Sequence, residues 1–172
     1  MFLNAIKLFF IKKSLKRTLH NDMKSSRISE IQNIGLLIEN RNLSCKQVIL
    51  DQLVANGIRE ENVSILVFKQ NFKKKESVSL PTCGFKDLKL NGSFADGFVA
   101  NFIATKFDLL ISYYEVENPV MLSITKQSQA SFKAGFTLEN YFFNDINVKV
   151  DVSNAIGFTN ELVKYLKILN KL

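Results

Sequence analysis

Apolar and polar positions along the chain fall into blocks whose period switches between that of a strand and that of a helix. Residues 31–39, IQNIGLLIE, gather Ile34, Leu36, Leu37 and Ile38 between polar flanks, which predicts a buried strand. LSCKQVILDQLVANG follows, with Val48, Ile49, Leu53 and Val54 on one helical face. Ser44 with Gln47 three residues on reads as a capping box, Leu43 can staple onto Val48, and Gly57 is placed to end the helix in a left-handed conformation. NVSILVFK, residues 62–69, is a second β-branched and aromatic run. Strand, helix and strand in fewer than 40 residues predict a parallel pair joined by a crossover.

The alternation then continues more loosely. Residues 70–84 are a polar loop that carries Lys73, Lys74 and Lys75, and FKDLKL (85–90) reads as a short edge strand. NGSFADGFVANFIATK predicts a helix, with Ser93 and Asp96 as its capping box and Phe98, Val99, Phe102 and Ile103 turned inward. FDLLISYY is a strand, and NPVMLSITKQSQA a helix with Asn118 as N-cap and Pro119 in the first helical position. SFKAGF (131–136) and INVKVDV (146–152) are two more strands. The last helix places Ala155, Phe158, Leu162, Leu166 and Leu169 on one stripe, with Lys164, Lys167 and Lys171 outside. The expected architecture for residues 31–172 is one α/β domain. It is a three-layer fold, Rossmann-like or flavodoxin-like, with a mostly parallel sheet of five or six strands.

Residues 1–20 form a separate block, a predicted helix, and residues 21–30 a polar linker. Leu8, Ile11, Leu15 and Leu19 make one stripe, while Phe2, Ile6, Phe9 and Phe10 fall largely on the other side, which further along carries Lys13 and Arg17. Such a helix can pack on its own domain, on a second copy or another protein, or in a membrane interface with Phe at the lipid boundary and Lys near the headgroups. Phe2, Ile6, Phe9, Phe10, Lys12, Lys13, Lys16 and Arg17 are the candidate docking residues.

Charge sharpens this division. The chain carries +7, yet residues 1–27 hold seven basic residues against Asp22, a net +6, so the other 145 residues carry only +1. A nucleic-acid-binding domain spreads Lys and Arg over a folded face. The near-neutral body speaks against that class, and nucleic-acid contact is left to the arm. Cys45 and Cys83 lack CxxC spacing and His20 is the single histidine, so no Cys/His metal site is expected and the thiols read as reduced. The apolar run at the start precedes its charges, the reverse of a secretory signal, and no stretch approaches the roughly 20 apolar residues of a membrane span. The expected location is cytoplasmic, with peripheral association at the inner membrane if the arm docks there.

Candidate chemistry follows from the fold class. In an open parallel sheet, ligands sit beyond the carboxyl ends of the strands, at the point where strand order reverses. Those ends should carry Asn40 and Asn42 after the first strand, and Ser112, Tyr113, Tyr114, Glu115, Glu117 and Asn118 after FDLLI. This polar group could bind a small ligand of nucleotide or sugar class, and could equally be the wet boundary of a strand. Glu115 and Glu117 would serve as acid and base only if burial separated their pKa values. There is no GxGxxG after the first strand, no P-loop and no GxSxG, and His20 lies outside the predicted sheet. Lys126 and Lys133 read as surface residues. The sequence therefore names no catalytic residue, cofactor or metal, and leans toward a non-catalytic binding or interaction module.

FDLLISYYEVENP, TKQSQASFKAGF and KYLKILNKL resemble a family of small uncharacterised proteins of Bacteroidetes, a likeness that runs from IKKSLKR to the end and implies no activity. Residues 107–136, with FDLLI, a helix and FKAGF, are similar to the N-terminal half of heptosyltransferase-type glycosyltransferases. Those enzymes place a YDLVID-like strand, a helix and a KRRIGF-like strand at about this spacing. The resemblance implies a Rossmann-like domain. The family's aspartate would fall near Ser112, and its nucleotide sugar is held mainly by a second domain, for which 172 residues leave no room. The resemblance thus supports the fold and weakens an enzymatic reading.

Overall fold

The computed structural model describes residues 30–72, 79–95, 97–139 and 143–172. The predicted N-terminal helix, nearly all of the linker, the Lys73–Lys75 run and Asp96 lie outside the described residues. Six strands form one sheet: β1 (Ile34–Glu39), β2 (Val63–Phe68), β3 (Thr82–Cys83), β4 (Leu109–Tyr113), β5 (Phe132–Phe136) and β6 (Ile146–Val148). Every pairing is parallel and the spatial order is β3-β2-β1-β4-β5-β6, the Rossmann order rather than the flavodoxin one.

Two helices cover each face. Helices α1 (Cys45–Ala55) and α4 (Ala155–Ile168) lie on one face; α2 (Phe98–Ala104) and α3 (Pro119–Gln127) lie on the other. Strand β1 shows why both covers are needed. Ile34, Leu36 and Ile38 enter the α1/α4 core, and Leu37 enters the α2/α3 core. A strand covered on both faces reads as a continuous apolar run instead of an alternating one. Gly35 also faces α2/α3, where the Phe102 and Phe107 rings pack 5.0 Å apart. A Cβ at Gly35 would stand 2.7 Å from Phe107 and 3.1 Å from Phe102, so the missing side chain is what admits the ring pair.

Most predicted elements form, some shorter or shifted. Asn118 caps α3, its Oδ1 accepting from the N–H groups of Val120 and Met121 at 2.9 and 3.4 Å, with Pro119 in the first turn. Gly57 follows α1 with φ +93°. Ser44, in contrast, has helical backbone angles and no side-chain cap, because a 3₁₀ turn at Asn40–Asn42 runs almost directly into α1. Gln47 instead donates to Asp51 at 2.9 Å. The expected edge strand at 85–90 is a 3₁₀ turn, Phe85–Asp87, closed by Asp87 accepting from the Gly84 N–H at 2.8 Å. The edge strand is Thr82–Cys83 just before it. Helix α2 starts at Phe98 behind Gly97, and Phe98 is 65% exposed rather than turned inward. The last strand stops at Val148, where residues 149–154 turn over the sheet toward α4. Cys45 and Cys83 are both free thiols, packed on opposite faces of the sheet.

The Gly35 clearing yields a direct test. Gly35→Ala forces the Phe102–Phe107 pair aside and should lower stability by about 1–3 kcal/mol, the usual cost of overpacking. Urea unfolding measures it, and Phe107→Leu in the same chain should return part of the loss.

Candidate functional site

Strand order reverses between β1 and β4, which lie side by side while their chains leave toward opposite faces, β1 into α1 and β4 into α3. A Rossmann-like sheet binds its ligand there. At the end of β1, Glu39 is held by Arg41, Nε to Oε2 at 2.8 Å, with the carboxylate largely covered and the guanidinium half exposed. Asn40 is exposed. Asn42 is half-buried, and its Nδ2 is a covered donor without a partner among the described residues.

The β4 side of the crevice is built differently. Tyr113 is 0% exposed and lies in the α1/α4 core, while Tyr114 at 2% lies in the α2/α3 core. Tyr113 packs edge-on against Phe136 and Phe158, at centroid distances of 5.1 and 5.0 Å. Its hydroxyl donates to the Val152 carbonyl at 2.5 Å, in the segment that precedes α4. Cys45 at the start of α1 reaches the same carbonyl, Sγ to O 3.9 Å. Tyr114 and Ser112 both meet Thr125 of α3, at 2.9 and 3.0 Å between hydroxyl oxygens. Ser112, where the glycosyltransferase pattern has its aspartate, is 1% exposed. These three hydroxyl residues are thus enclosed and bonded within the protein. Glu115 is exposed, Glu117 is half-buried, and Asn118 spends its carbonyl oxygen on the α3 cap. Of the eight candidate rim residues, Asn40 and Glu115 are exposed, Asn42, Glu117 and Asn118 are half-buried, and Ser112, Tyr113 and Tyr114 are inside.

Lys133 is a residue that sequence reasoning set at the surface and the structure turns inward. Its Nζ donates to the carbonyls of Thr125 and Lys126 at 2.8 and 3.4 Å, capping the negative end of α3. Burial lowers its pKa, and the Asp145 carboxylate pulls the other way. Alternation in SFKAGF carried the signal: Phe132, Ala134 and Phe136 share one face, so Lys133 must share the α3 face with Gly135.

A second concavity lies at the other end of the sheet. Strand β2 pairs with β3 only at Val67 and Phe68. Pro81 accepts from the Val67 N–H at 2.9 Å but has no N–H to return, so the ladder stops there. Below the outer side of Val63–Leu66, a mostly apolar groove of about 390 Å³ opens between β2 and α2, lined by Leu80, Pro81, Phe98, Phe102 and Phe107 together with the polar Ser64, Asn101 and Thr105. Its volume lies within the range of roughly 300–1,000 Å³ of ligand-sized sites. The exposed Phe98 ring stands at its lip. The sequence reading put Pro81 in a polar loop and turned Phe98 inward, so it did not foresee this groove. Among the described residues, no cluster of three or more His, Cys, Asp or Glu residues could hold a metal, and no helix is long and apolar enough to cross a membrane.

The enclosed acids set the alkaline limit of the fold. Burial, reinforced by the Asp87 charge, pushes the Cys83 thiol from 9.0 up to about 12. Burial likewise raises both tyrosines, with the neighbouring Cys45 adding to the rise at Tyr113 and the Thr125 and Ser112 hydroxyls offsetting part of it at Tyr114. Above pH 9 the unfolded chain loses protons that the folded chain keeps, so stability falls as pH rises toward 12. Lys133 opposes this below its ordinary value of 10.5, since there the folded chain is the one that loses its proton first. Urea midpoints taken from about pH 8 to about pH 11 should decline from pH 9, and Cys83→Ala should flatten the first part of the decline, before the tyrosines titrate.

The profile of a family of unknown function, DUF6913, matches residues 7–169, and the chain belongs to that family. The match takes in the whole sheet and most of the basic N-terminal block. No curated protein and no solved structure matches the chain.

Proposed function

We propose that this protein is a non-catalytic α/β interaction module, brought to a partner or to the inner face of a membrane by docking residues 1–20. The observation that carries the reading is the separation of charge. Residues 1–27 bear +6 of the net +7, and within them Phe2, Phe9 and Phe10 stand beside Lys12, Lys13, Lys16 and Arg17. Aromatic rings at the acyl boundary and cations among anionic headgroups are the two halves of interfacial binding. Each Lys or Arg near such a surface contributes about 1 kcal/mol. The base of the segment supports the reading too. Ile31 is buried, and Gln32 and Asn33 are tied to the domain by their backbone N–H groups, so whatever residues 1–20 hold, the α/β body follows.

The full chain should sediment with vesicles that contain anionic lipid, less so as salt rises, and a chain beginning at Ser26 should stay behind. If the surface is another protein or a second copy, the full chain should instead form a larger species in sedimentation velocity, and the shorter chain should not. Equal behaviour of the two chains would remove the docking role.

The Asn42 amide, covered and without a partner among the described residues, favours a second reading, a small polar ligand of nucleotide or sugar class in the β1/β4 crevice. A thermal-shift screen of nucleotides and sugar nucleotides tests it. A ligand at 100 times its dissociation constant stabilises the fold by about 2.7 kcal/mol. The shift should vanish in Asn42→Ala and Glu115→Gln chains that melt normally without ligand. A shift that survives both substitutions places the ligand elsewhere.

A further inference from the structure

We propose that the groove beside β2 binds a small, flat, uncharged molecule that carries a hydrogen-bond donor and acceptor side by side, and that the Ile65 main chain reads it. Cyclic amides, nucleobases among them, are the matching class. The site is separate from the docking role of residues 1–20 and from the β1/β4 crevice.

A gap in the sheet supplies the anchor. Val67 donates to the Pro81 carbonyl and Lys69 to the Cys83 carbonyl, at 2.9 and 2.8 Å. Hydrogen-bonding groups alternate between the two edges of a strand, so Ile65, two residues before Val67, turns its N–H and C=O to this same edge. The next step of the ladder would have Ile65 donate to Ser79 and accept from residue 81. Position 81 is proline, which has no N–H to give. Among the described residues the Ile65 N–H meets no partner at this edge either, and the strand pairing here consists of Val67 with Thr82 and Phe68 with Cys83.

The groove opens on this gap. The side chains of Val63 and Ile65 pack with the α1/α4 core, whereas Phe102 and Phe107 belong to the α2/α3 core. What Val63 and Ile65 show to a groove on the α2 side is therefore their main chain. Ile65 is half-buried, and a backbone donor and acceptor left open in mostly apolar surroundings favour a ligand that satisfies both.

The walls select the rest of the ligand. Phe98, Phe102 and Phe107 offer aromatic surface, with Phe98 65% exposed, which suits a flat ring. No charged side chain lines the groove among the described residues, so a phosphate or carboxylate would enter it unpaired. The Thr105 hydroxyl already donates to the Asn101 carbonyl at 2.8 Å, and Ser64 and Asn101 are exposed at the rim, where the ligand's outer edge meets water. An added peptide strand fits less well. It would run along the line of β3 and meet Pro81 where Val67 is already paired.

The test is a titration of the nitrogen-labelled full chain, followed by heteronuclear NMR. Three probes share one shape: carbostyril, a flat lactam; N-methylcarbostyril, which keeps the acceptor and loses the donor; and naphthalene, which keeps only the rings. Carbostyril should move the Ile65 amide resonance downfield in the millimolar range, where a fragment of this size binds. The N-methyl form should bind about tenfold more weakly, because it leaves the Ile65 C=O covered and unpaired. Ser64→Leu fills the groove from an exposed position and should abolish the shift in a chain that melts normally. If that chain fails to fold, the three probes on the parent chain still decide. Equal binding of all three with the Ile65 amide unmoved leaves only an apolar pocket and overturns the proposal, as does no binding at all. A lysine-flanked Val-Thr peptide that moves Val63 and Ile65 where carbostyril does not would make the edge a strand acceptor and overturn it too.

Discussion

Two successive residues of a strand cannot point to the same side, and in a sheet covered on both faces neither of them reaches water. That constraint governs the centre of this molecule. Tyr113, the last residue of β4, enters the α1/α4 core, and Tyr114, the next residue, enters the α2/α3 core, so each phenol needs a partner inside its own layer. Tyr113 finds the Val152 carbonyl, which anchors the segment leading into α4. Tyr114 finds Thr125, which also serves Ser112 and so fixes α3 against β4. The hydroxyls on this short stretch thus position two helices on two faces. A buried hydroxyl left without a partner costs about 1–3 kcal/mol, so these arrangements constrain one another.

The same constraint explains what could be read in advance. Strands β1, β2 and β4 are apolar runs bounded by polar residues, and their existence and parallel pairing follow from that alone. Helix α3 announced itself through Asn118 and Pro119, because a cap is a local device that tertiary contacts seldom overrule. Other local devices did lose. Ser44 and Gln47 have the spacing of a capping box, but the 3₁₀ turn before them leaves Ser44 with helical angles, and a cap needs an extended residue there. FKDLKL alternates like a strand, yet Asp87 closes a turn onto Gly84 and takes the segment out of the ladder.

The candidate site was legible in its position and less so in its contents. Topology places the crevice after β1 and β4, as expected of the fold class. Which side chains face it depends on where the last buried residue falls. Tyr114 lies one residue past the end of β4 and is still buried. Polarity at a strand end does not decide the matter, because a hydroxyl can be satisfied by a helix as readily as by solvent. The groove beside β2 had even less signature. Its walls come from residues 63–66, 80–81 and 98–107, separated along the chain and brought together only by the fold.

The anchorage of Gln32 and Asn33, whose N–H groups the Asp108 carboxylate holds, has a mechanical meaning. The chain enters the domain directly into β1, a central strand with ladders on both sides, six residues long against β2 and five against β4. A pull on the N-terminus therefore loads those ladders in shear, many bonds at once, instead of unzipping an edge one bond at a time. The Ile31–Lys171 contact ties the far end of the chain to the same spot, so tension arriving there is shared with the segment behind α4. A load applied at this end is therefore borne by the centre of the sheet and not by its edge.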